Sequence, residues 1–281
     1  MMNRDLKATA DLIRYYTLKE LGRLGYGHYG GALSIVEVLA VLYGSEMKFD
    51  SNNPESEDRD YFILSKGHAG PAYYAALAVS GFFPIDNLFT LNDNGTDLPS
   101  HPDRNKIKGV DMTTGSLGQG ISVAAGLAYY LKYKNMTNRV YCIVGDGELN
   151  EGQCWEAFMF IAHHNLNNLV VIIDDNKKQL DGYTKDICNL FSLEDKFRAF
   201  GFNVEKLNGN DIESIKSGFD SARKIKDKPT SIILDTVKGA GVKFIEDTMS
   251  NHHMRLDKEA TGKINETILD LEKSLQERGL L

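Results

Sequence analysis

Short runs of aliphatic residues alternate with helical segments in the second half of the chain, and this alternation restricts the fold more than any other feature. The predicted strands cover residues 140–144, 169–174, 202–207 and 231–237, and the predicted helices cover residues 120–133, 152–164 and 211–226. Strands of nearly unbroken aliphatic residues are typical of parallel sheets that are buried on both faces. We therefore predict an α/β fold with a doubly wound, mainly parallel sheet and helices on both faces.

The first half of the chain predicts further helices and a long loop. Helical patterns cover residues 3–24, 32–44 and 69–81, a short strand covers residues 61–64, and residues 82–113 are expected to be mostly loop. Ser34 precedes Glu37 with the spacing of a capping box for the second helix. Because no internal linker is apparent, residues 1–281 are predicted to form one domain, with residues 257–281 as a C-terminal helical extension.

The composition argues against several classes of protein. The 281 residues are 42% hydrophobic and 25% charged, as in ordinary soluble proteins. A net charge of -7 does not suit a nucleic-acid-binding surface, and we find neither an apolar run long enough to span a membrane nor a secretory signal. Cys142, Cys154 and Cys188 lack the spacing of a disulfide framework or a zinc site. We expect a cytoplasmic protein with three reduced thiols and no nucleic-acid or membrane partner.

Two predicted strand ends carry polar residues that suit a divalent cation. Asp146 lies between Gly145 and Gly147 after one strand, and Asn176 follows the next strand. The two residues are 30 positions apart, the length of one β-α-β unit, so parallel strands would bring them to the same edge of the sheet. One carboxylate and one amide are too few for a complete protein cage. They suit Mg²⁺ or Ca²⁺ that also binds the phosphate oxygens of a ligand.

A glycine-rich segment, TTGSLGQG at residues 113–120, also suggests a phosphorylated ligand. It directly precedes a predicted helix, and the free N–H groups and dipole of a helix start attract anions. Each feature alone has a simpler explanation, because Gly-Asp-Gly can be only a turn, Asp-Asn only a helix cap, and the glycine-rich segment only a tightly packed helix start. The spacing across one β-α-β unit favours the metal and diphosphate site, whereas the patterns of Rossmann and Walker A nucleotide sites are absent from the sequence.

Taken together, these segments resemble those of the transketolase family. GDGELNEGQCWEA at residues 145–157, followed by DDNKKQLDG at residues 174–182, is similar to the thiamine diphosphate motif of that family. Other similar segments follow the family's order: YGHYGGAL (26–33), LSKGHA (64–69), PSHP (99–102), TTGSLGQG (113–120), KGAGVKFIE (238–246) and NHH (251–253). The resemblance covers about residues 20–255 and implies a thiamine diphosphate-binding fold.

The resemblance implies a role for each matched residue. The metal ligands would be Asp146, Asn176 and the backbone carbonyl of Lys178. The cofactor contacts, mainly to the diphosphate, would be His68, Gly115, Ser116, Leu117, Gly147, Asn176 and His252. The histidines that line the substrate channel and move protons would be His28, His101 and His252, with His253 as an alternative to His252. The residues at a subunit interface that links two active sites would be Glu151 and Glu156.

The resemblance also implies a reaction and a partner. In transketolases a second domain binds the aminopyrimidine ring, so this sequence resembles the diphosphate-binding subunit of a split transketolase. We expect it to form an α2β2 heterotetramer with a separate pyrimidine-binding subunit. With thiamine diphosphate and Mg²⁺ (or Ca²⁺), the assembly would transfer a two-carbon ketol unit from a ketose phosphate to an aldose phosphate.

Several alternatives remain open from the sequence. The substrate could be a specialised ketose, such as a sulfosugar or a branched-sugar phosphate, or the chain could belong to a 2-oxo acid dehydrogenase. The histidine set His28, His68 and His101 favours ketol transfer over the dehydrogenase. A non-catalytic regulatory subunit with the same fold is disfavoured by the intact pair of Asp146 and Asn176.

Overall fold

Five parallel strands form the central sheet of the protein, for which a computed structural model describes residues 5–281. The strands in chain order are β1 (Tyr26–Gly27), β2 (Tyr61–Leu64), β3 (Val140–Gly145), β4 (Leu169–Asp175), β5 (Asn203–Asn208), β6 (Thr230–Asp235) and β7 (Met254–Arg255). The central sheet has the order β2-β3-β4-β6-β5, and β1 pairs with β7 in a separate antiparallel ribbon. All carboxyl ends of the central strands therefore lie along one edge.

Helices cover both faces of this sheet. They are α1 (Leu6–Leu24), α2 (Tyr29–Leu33), α3 (Val36–Val41), α4 (Gly70–Val79), α5 (Gln119–Tyr133), α6 (Gly152–His163), α7 (Thr184–Ile187), α8 (Leu193–Ala199), α9 (Ile212–Lys224), α10 (Lys243–Asp247) and α11 (Lys258–Glu277). The helices α1, α3, α4 and α9 share one hydrophobic core with the sheet, and α5, α6 and α8 share the other.

Side chains of the central strands alternate between the two cores. Along β3, Tyr141 and Ile143 belong to the first core, whereas Val140, Cys142 and Val144 belong to the second. Every residue of β3 and β4 is buried, which explains why these strands are apolar without interruption. The predicted doubly wound α/β fold is confirmed.

The predicted helix at residues 32–44 is wrong in detail. The chain instead forms α2, then α3, and then a single π-helical turn at Leu42–Glu46. Ser34 does not cap a helix, because its hydroxyl donates to the backbone carbonyl of Gly31 at 3.1 Å and to Asp174 Oδ2 at 2.8 Å. A tertiary hydrogen bond to the end of β4 thus replaces the local capping interaction that the sequence suggested.

The remaining predicted elements lie within about two residues of the observed ones, apart from segments to which the sequence assigned no element. The helix predicted at residues 3–24 is α1, which begins after the N-cap Asp5; residues 3 and 4 lie outside the described part of the chain. The unassigned segments include α7, α8, α10 and the β1–β7 ribbon. The terminal helix α11 packs on α1, where the Tyr15 hydroxyl donates to Glu272 at 2.7 Å. Within residues 5–281, no helix combines the length and apolarity required to cross a bilayer.

Glu20 of α1 is an unfavourable feature of the core, and its replacement should stabilise the protein. Its side chain is completely buried, and neither carboxylate oxygen has a hydrogen-bond partner among the described residues. Burial raises the pKa of Glu20 well above its ordinary value, so the folded state holds a proton that the unfolded chain releases. This cost grows as the pH rises above the ordinary pKa of glutamate.

We expect Glu20→Met to raise the free energy of unfolding by about 1–3 kcal/mol at neutral pH. Urea unfolding should show a larger gain at pH 8 than at pH 5. A gain that is absent, or that is largest at pH 5, would contradict this interpretation of Glu20. The exposed Glu266→Met serves as a control, since a surface substitution on α11 should have little effect.

Candidate active site

A cavity of about 160 Å³ opens at the carboxyl ends of the central strands. Its lining residues come from the segments that follow β2, β3, β4 and β6: Lys66, His68, Leu117, Gly145, Asp146, Gly147, Glu148, Asn176, Lys178, Gln179, Leu180, Lys238 and His252. Two larger grooves, of about 550 and 790 Å³, are lined by neither a histidine nor a central strand in the described chain. Size alone would therefore select the wrong site.

Asp146 and Asn176 meet at this cavity, as the strand spacing predicted. Both residues are buried, and both line the cavity. Asp146 Oδ1 accepts a hydrogen bond from the Gly147 N–H at 2.8 Å, but the buried Oδ2 has no partner among the described residues. Burial, together with repulsion from Asp174, raises the pKa of Asp146 to about 7. A buried carboxylate oxygen without a donor is the group that a bound cation would satisfy.

The carbonyl of Lys178, the third predicted metal ligand, has a protein partner in this structure. It accepts a hydrogen bond from Lys238 Nζ at 2.8 Å, and the same ammonium lies 3.1 Å from His252 Nδ1. Burial and the nearby Lys66 lower the pKa of Lys238 to about 8. No group of three or more His, Cys, Asp or Glu side chains within residues 5–281 is arranged to hold a metal, which agrees with a cation that takes most of its ligands from a bound phosphate.

Asp174 and Lys66 form a buried ion pair beneath Asn176, and the sequence alone suggested no role for either residue. Lys66 Nζ lies 2.5 Å from Asp174 Oδ2, and each side chain is 1% exposed. Burial alone would raise the pKa of Asp174, but the Lys66 charge and the hydrogen bonds from Lys66, Thr236 and Ser34 outweigh it and lower the pKa. The available signal was a charged residue at the end of each aliphatic strand, which needs a partner when it is buried.

Five histidines gather at the mouth of the cavity, with His28 at their centre. The ring centroid of His28 lies 5.4 Å from those of His68 and His252, 5.9 Å from that of His101, and 4.8 Å from that of His253. Four chain segments far apart in sequence supply these rings, and the β1–β7 ribbon holds His252 and His253 next to His28. The structure thus brings together all the histidines that the sequence singled out. It places His252 against the cavity and His253 outside the cavity lining.

The inner histidines are neutral near pH 7. Burial, followed by the charges of neighbouring histidines and lysines, lowers the pKa of His28 to about 4. Burial and Lys238 lower the pKa of His252 to about 3. Burial also lowers the pKa of His68 and His101. Neutral imidazoles both donate and accept hydrogen bonds, so this cluster suits a ligand that is rich in hydroxyl and carbonyl groups.

This cluster should make the protein sensitive to acid. The pKa of His28 in the folded state lies below its value in the unfolded chain, so stability is expected to fall as the pH decreases from about 6.5 towards 4. His28→Asn removes one of these groups and should lose less stability than the wild type between pH 7 and pH 5, as measured by urea midpoints. A His163→Asn control on α6, outside the cluster, should follow the wild type. Parallel losses in all three proteins would contradict the prediction.

The glycine-rich segment at residues 113–120 is used differently from the sequence-based expectation. Gly118 adopts a left-handed backbone, with φ at 82°, and starts α5. Its N–H donates to Glu148 Oε1 at 2.7 Å, and the Ile121 N–H donates to Ser65 Oγ at 3.2 Å. The helix start is therefore partly satisfied by side chains rather than free for an anion. Gly115, Ser116 and Leu117 lie just before it, and Leu117 lines the cavity.

Glu148 is a structural residue of the site that the sequence did not reveal. Its carboxylate accepts hydrogen bonds from the Ser65 hydroxyl at 2.5 Å, the Gly118 N–H at 2.7 Å and the Gly145 N–H at 3.0 Å. These donors follow β2, precede α5 and end β3, so one buried side chain connects three walls of the cavity. Burial raises the pKa of Glu148, although the three hydrogen bonds oppose this effect.

Glu151 and Glu156 lie outside the cavity on the exposed side of α6. Glu151 precedes the helix, and Glu156 shares its solvent face with Met159 and Phe160, which are 56% and 39% exposed. Adjacent exposed apolar side chains are typical of a surface that another protein covers. All three cysteines are free; Cys142 and Cys154 are buried in the second core, and Cys188 is exposed.

The fold and the site define the class: a doubly wound α/β protein with a carboxylate, an amide and neutral histidines at the carboxyl ends of its strands. Residues 6–272 match the family model described as the thiamine diphosphate binding domain of transketolase. The chain therefore belongs to the transketolase family, and it corresponds to the thiamine diphosphate-binding domain of that family.

Individual relatives are of two lengths. The 6-deoxy-6-sulfo-D-fructose transketolase subunit SqwG of Clostridium sp. (strain MSTE9) is 50% identical over 91% of this chain and 93% of its own length. One of the two apulose-4-phosphate transketolase relatives, the subunit of Actinobacillus succinogenes, is 42% identical over 81% of this chain and 82% of its own length. The solved transketolase of Campylobacter jejuni superposes with a TM-score of 0.86 at 29% identity, over 95% of this chain but 43% of that chain. This chain thus spans less than half of the solved enzyme.

Proposed function

We propose that this chain is the cofactor-binding subunit of a transketolase that moves a two-carbon ketol unit from a ketose phosphate to an aldose phosphate. The observation that carries the proposal is the buried, unpartnered Asp146 Oδ2, which lies with Asn176 at a cavity whose mouth holds the histidine cluster. A cation site and a hydroxyl-binding site thus share one opening. The relatives of similar length, which are named as transketolase subunits, support this reaction over that of a 2-oxo acid dehydrogenase.

The residues present fit thiamine diphosphate with Mg²⁺. Asp146, Asn176 and the Lys178 carbonyl would hold the metal, and Lys238 would have to give up that carbonyl. The proposed contacts to the cofactor are His68, Gly115, Ser116, Leu117 and Gly147, together with Asn176 and His252. Ca²⁺ could take the place of Mg²⁺, since both cations prefer oxygen ligands.

The neutral histidines would handle the sugar. When bound, thiamine diphosphate supplies the carbon nucleophile and electron sink for ketol transfer. His28, His101 and His252 would hydrogen-bond the carbonyl and hydroxyl groups of the ketose, and they would accept and return hydroxyl protons because they are unprotonated near pH 7. Leu117 and Leu180 line the cavity with apolar surface and would help to exclude water.

The partner belongs to the same proposal. Relatives of similar length carry subunit names, which supports an α2β2 assembly with a separate pyrimidine-binding subunit. The exposed face of α6, with Glu151, Glu156, Met159 and Phe160, is the proposed interface between subunits.

The test is a reconstitution assay. The purified chain should show no ketol transfer with thiamine diphosphate and Mg²⁺ alone, and it should become active when a pyrimidine-binding transketolase subunit from the same genome is added. Full activity of the chain by itself would overturn the split site. Met159→Lys with Phe160→Asp should prevent assembly in size-exclusion chromatography, whereas the paired substitution of Lys258 and Glu259 to alanine on exposed α11 should not.

A specialised ketose is a second candidate substrate. The named relatives act on 6-deoxy-6-sulfo-D-fructose and apulose 4-phosphate, according to their names. A donor panel on the reconstituted enzyme should therefore include both compounds beside fructose 6-phosphate and xylulose 5-phosphate. Comparable kcat/KM for all four donors would argue against specialisation.

A further inference from the structure

We propose that Asp174 is a positioning residue that turns the side-chain oxygen of Asn176 towards the cation. The inference rests on the proposed function, because it concerns the same metal site. Asp174 lies at the end of β4, two residues before Asn176, and does not line the cavity. It would act through Asn176 rather than touch the metal.

The argument starts from the ambiguity of an amide side chain. Asn176 has one oxygen and one NH₂ group of nearly the same shape, and only the oxygen can bind a cation. In the structure, Asn176 Nδ2 donates to Asp174 Oδ2 at 2.8 Å. A carboxylate accepts hydrogen bonds and donates none, so a flipped amide would face it with its oxygen and would be repelled. The single bond to Asp174 thereby leaves Oδ1 as the atom available on the other side.

Asp174 is itself held from several parts of the fold. Its Oδ2 also accepts from Lys66 Nζ at 2.5 Å and from Ser34 Oγ at 2.8 Å, and its Oδ1 accepts from the Thr236 hydroxyl. Lys66 Nζ in turn donates to the Gly31 carbonyl at 2.8 Å. These donors follow α2, β2 and β6, so the orientation of Asn176 is fixed to the frame of the sheet rather than to its own loop.

The energetics favour a positioning role over a stabilising one. A completely buried ion pair contributes little net stability, because removing both charges from water costs about as much as their attraction returns. Replacing such a pair with apolar residues of similar volume is often neutral or stabilising. The Lys66–Asp174 pair has satisfied geometry and directly contacts a proposed metal ligand, as outer-shell partners of metal sites do.

The test uses Mn²⁺ as the metal probe, with its binding followed by electron paramagnetic resonance at saturating thiamine diphosphate in the assembled complex. Lys66→Met with Asp174→Leu removes both charges and should fold, with a thermal transition near that of the wild type. We expect Mn²⁺ affinity to fall by about 10–100-fold, the effect of losing an outer-shell partner. Wild-type affinity in this folded double variant would overturn the inference.

A third substitution separates positioning from a merely structural effect. Asn176→Asp presents an oxygen in either orientation, so it needs no positioning. We expect it to improve Mn²⁺ affinity at least about tenfold more in the double variant than in the wild type, a coupling that a double-mutant cycle measures directly. Equal effects of Asn176→Asp in the two backgrounds would also overturn the inference.

Two controls complete the experiment. Arg14→Met with Glu37→Leu removes another buried ion pair, one that does not contact Asn176, and should leave Mn²⁺ affinity within about threefold of the wild type. A loss equal to that of the test pair would mean that Lys66 and Asp174 act only through general stability. If the wild type binds no Mn²⁺ with thiamine diphosphate, the proposed function fails. If it binds and Asp146→Ala does not, that function stands while the inference is judged separately.

Discussion

Asp146→Ala should abolish the cation-dependent binding of thiamine diphosphate. The substitution removes the buried carboxylate oxygen that lacks a partner among the described residues and leaves Asn176 as the only proposed side-chain ligand. Losing an outer-shell partner costs about 10–100-fold in metal affinity, so losing a direct ligand should cost more than about 100-fold. Because the same removal relieves the burial of an acid whose pKa is raised to about 7, we expect no loss of stability.

Calorimetry of thiamine diphosphate binding, with and without Mg²⁺, measures the effect. The matched control is Asp235→Ala at the end of β6, a neighbouring strand end whose side chain is 55% exposed and lies outside the cavity. The control should bind as the wild type does. Unchanged affinity in Asp146→Ala would remove Asp146 from the metal site.

Glu148→Ala should cause the largest loss of stability near the site. The substitution leaves three donors without an acceptor: the Ser65 hydroxyl, the Gly118 N–H and the Gly145 N–H. Each unsatisfied buried donor costs about 1–3 kcal/mol, so the free energy of unfolding should fall by about 3–6 kcal/mol. Urea unfolding of the purified chain would measure this.

Glu156→Ala is the matched control for Glu148→Ala. Glu156 lies on the exposed face of α6, further along the same segment, and its removal should change stability by less than about 0.5 kcal/mol. Similar losses in the two variants would show that Glu148 does not connect the cavity walls as described. Glu148→Gln should give an intermediate loss, because the amide keeps one acceptor oxygen.

The strands were predictable because they are buried on both faces. An aliphatic run of this kind has few other uses in a soluble protein, so β3 and β4 matched the sequence prediction to within one residue. Asp146 and Asn176 were predictable for a related reason, since parallel pairing brings the carboxyl ends of successive strands to one edge. The segments near residues 30–46 and 177–199 were not, because their short helices depend on tertiary contacts rather than on a local repeat.

The site residues that the sequence did not reveal share one property, which is a partner far away in the chain. Lys66 and Asp174 are 108 residues apart, and Ser34 and Asp174 are 140 apart. Ser34 shows the consequence, because a local capping pattern competed with a distant carboxylate and the distant group won. A side chain's own neighbours cannot reveal such a choice.

The sequence by itself determined the layered α/β fold, the pair Asp146 and Asn176, the histidines and the family resemblance, because strand periodicity and ordered segments are local properties of the chain. Only the tertiary structure decided which groups serve those residues. It placed Asp174 and Lys66 beneath Asn176, Glu148 between three walls of the cavity, and His252 inward of His253. The physical reason is that burial makes each polar group depend on a specific partner, and the folded chain alone sets which partner lies within hydrogen-bonding distance.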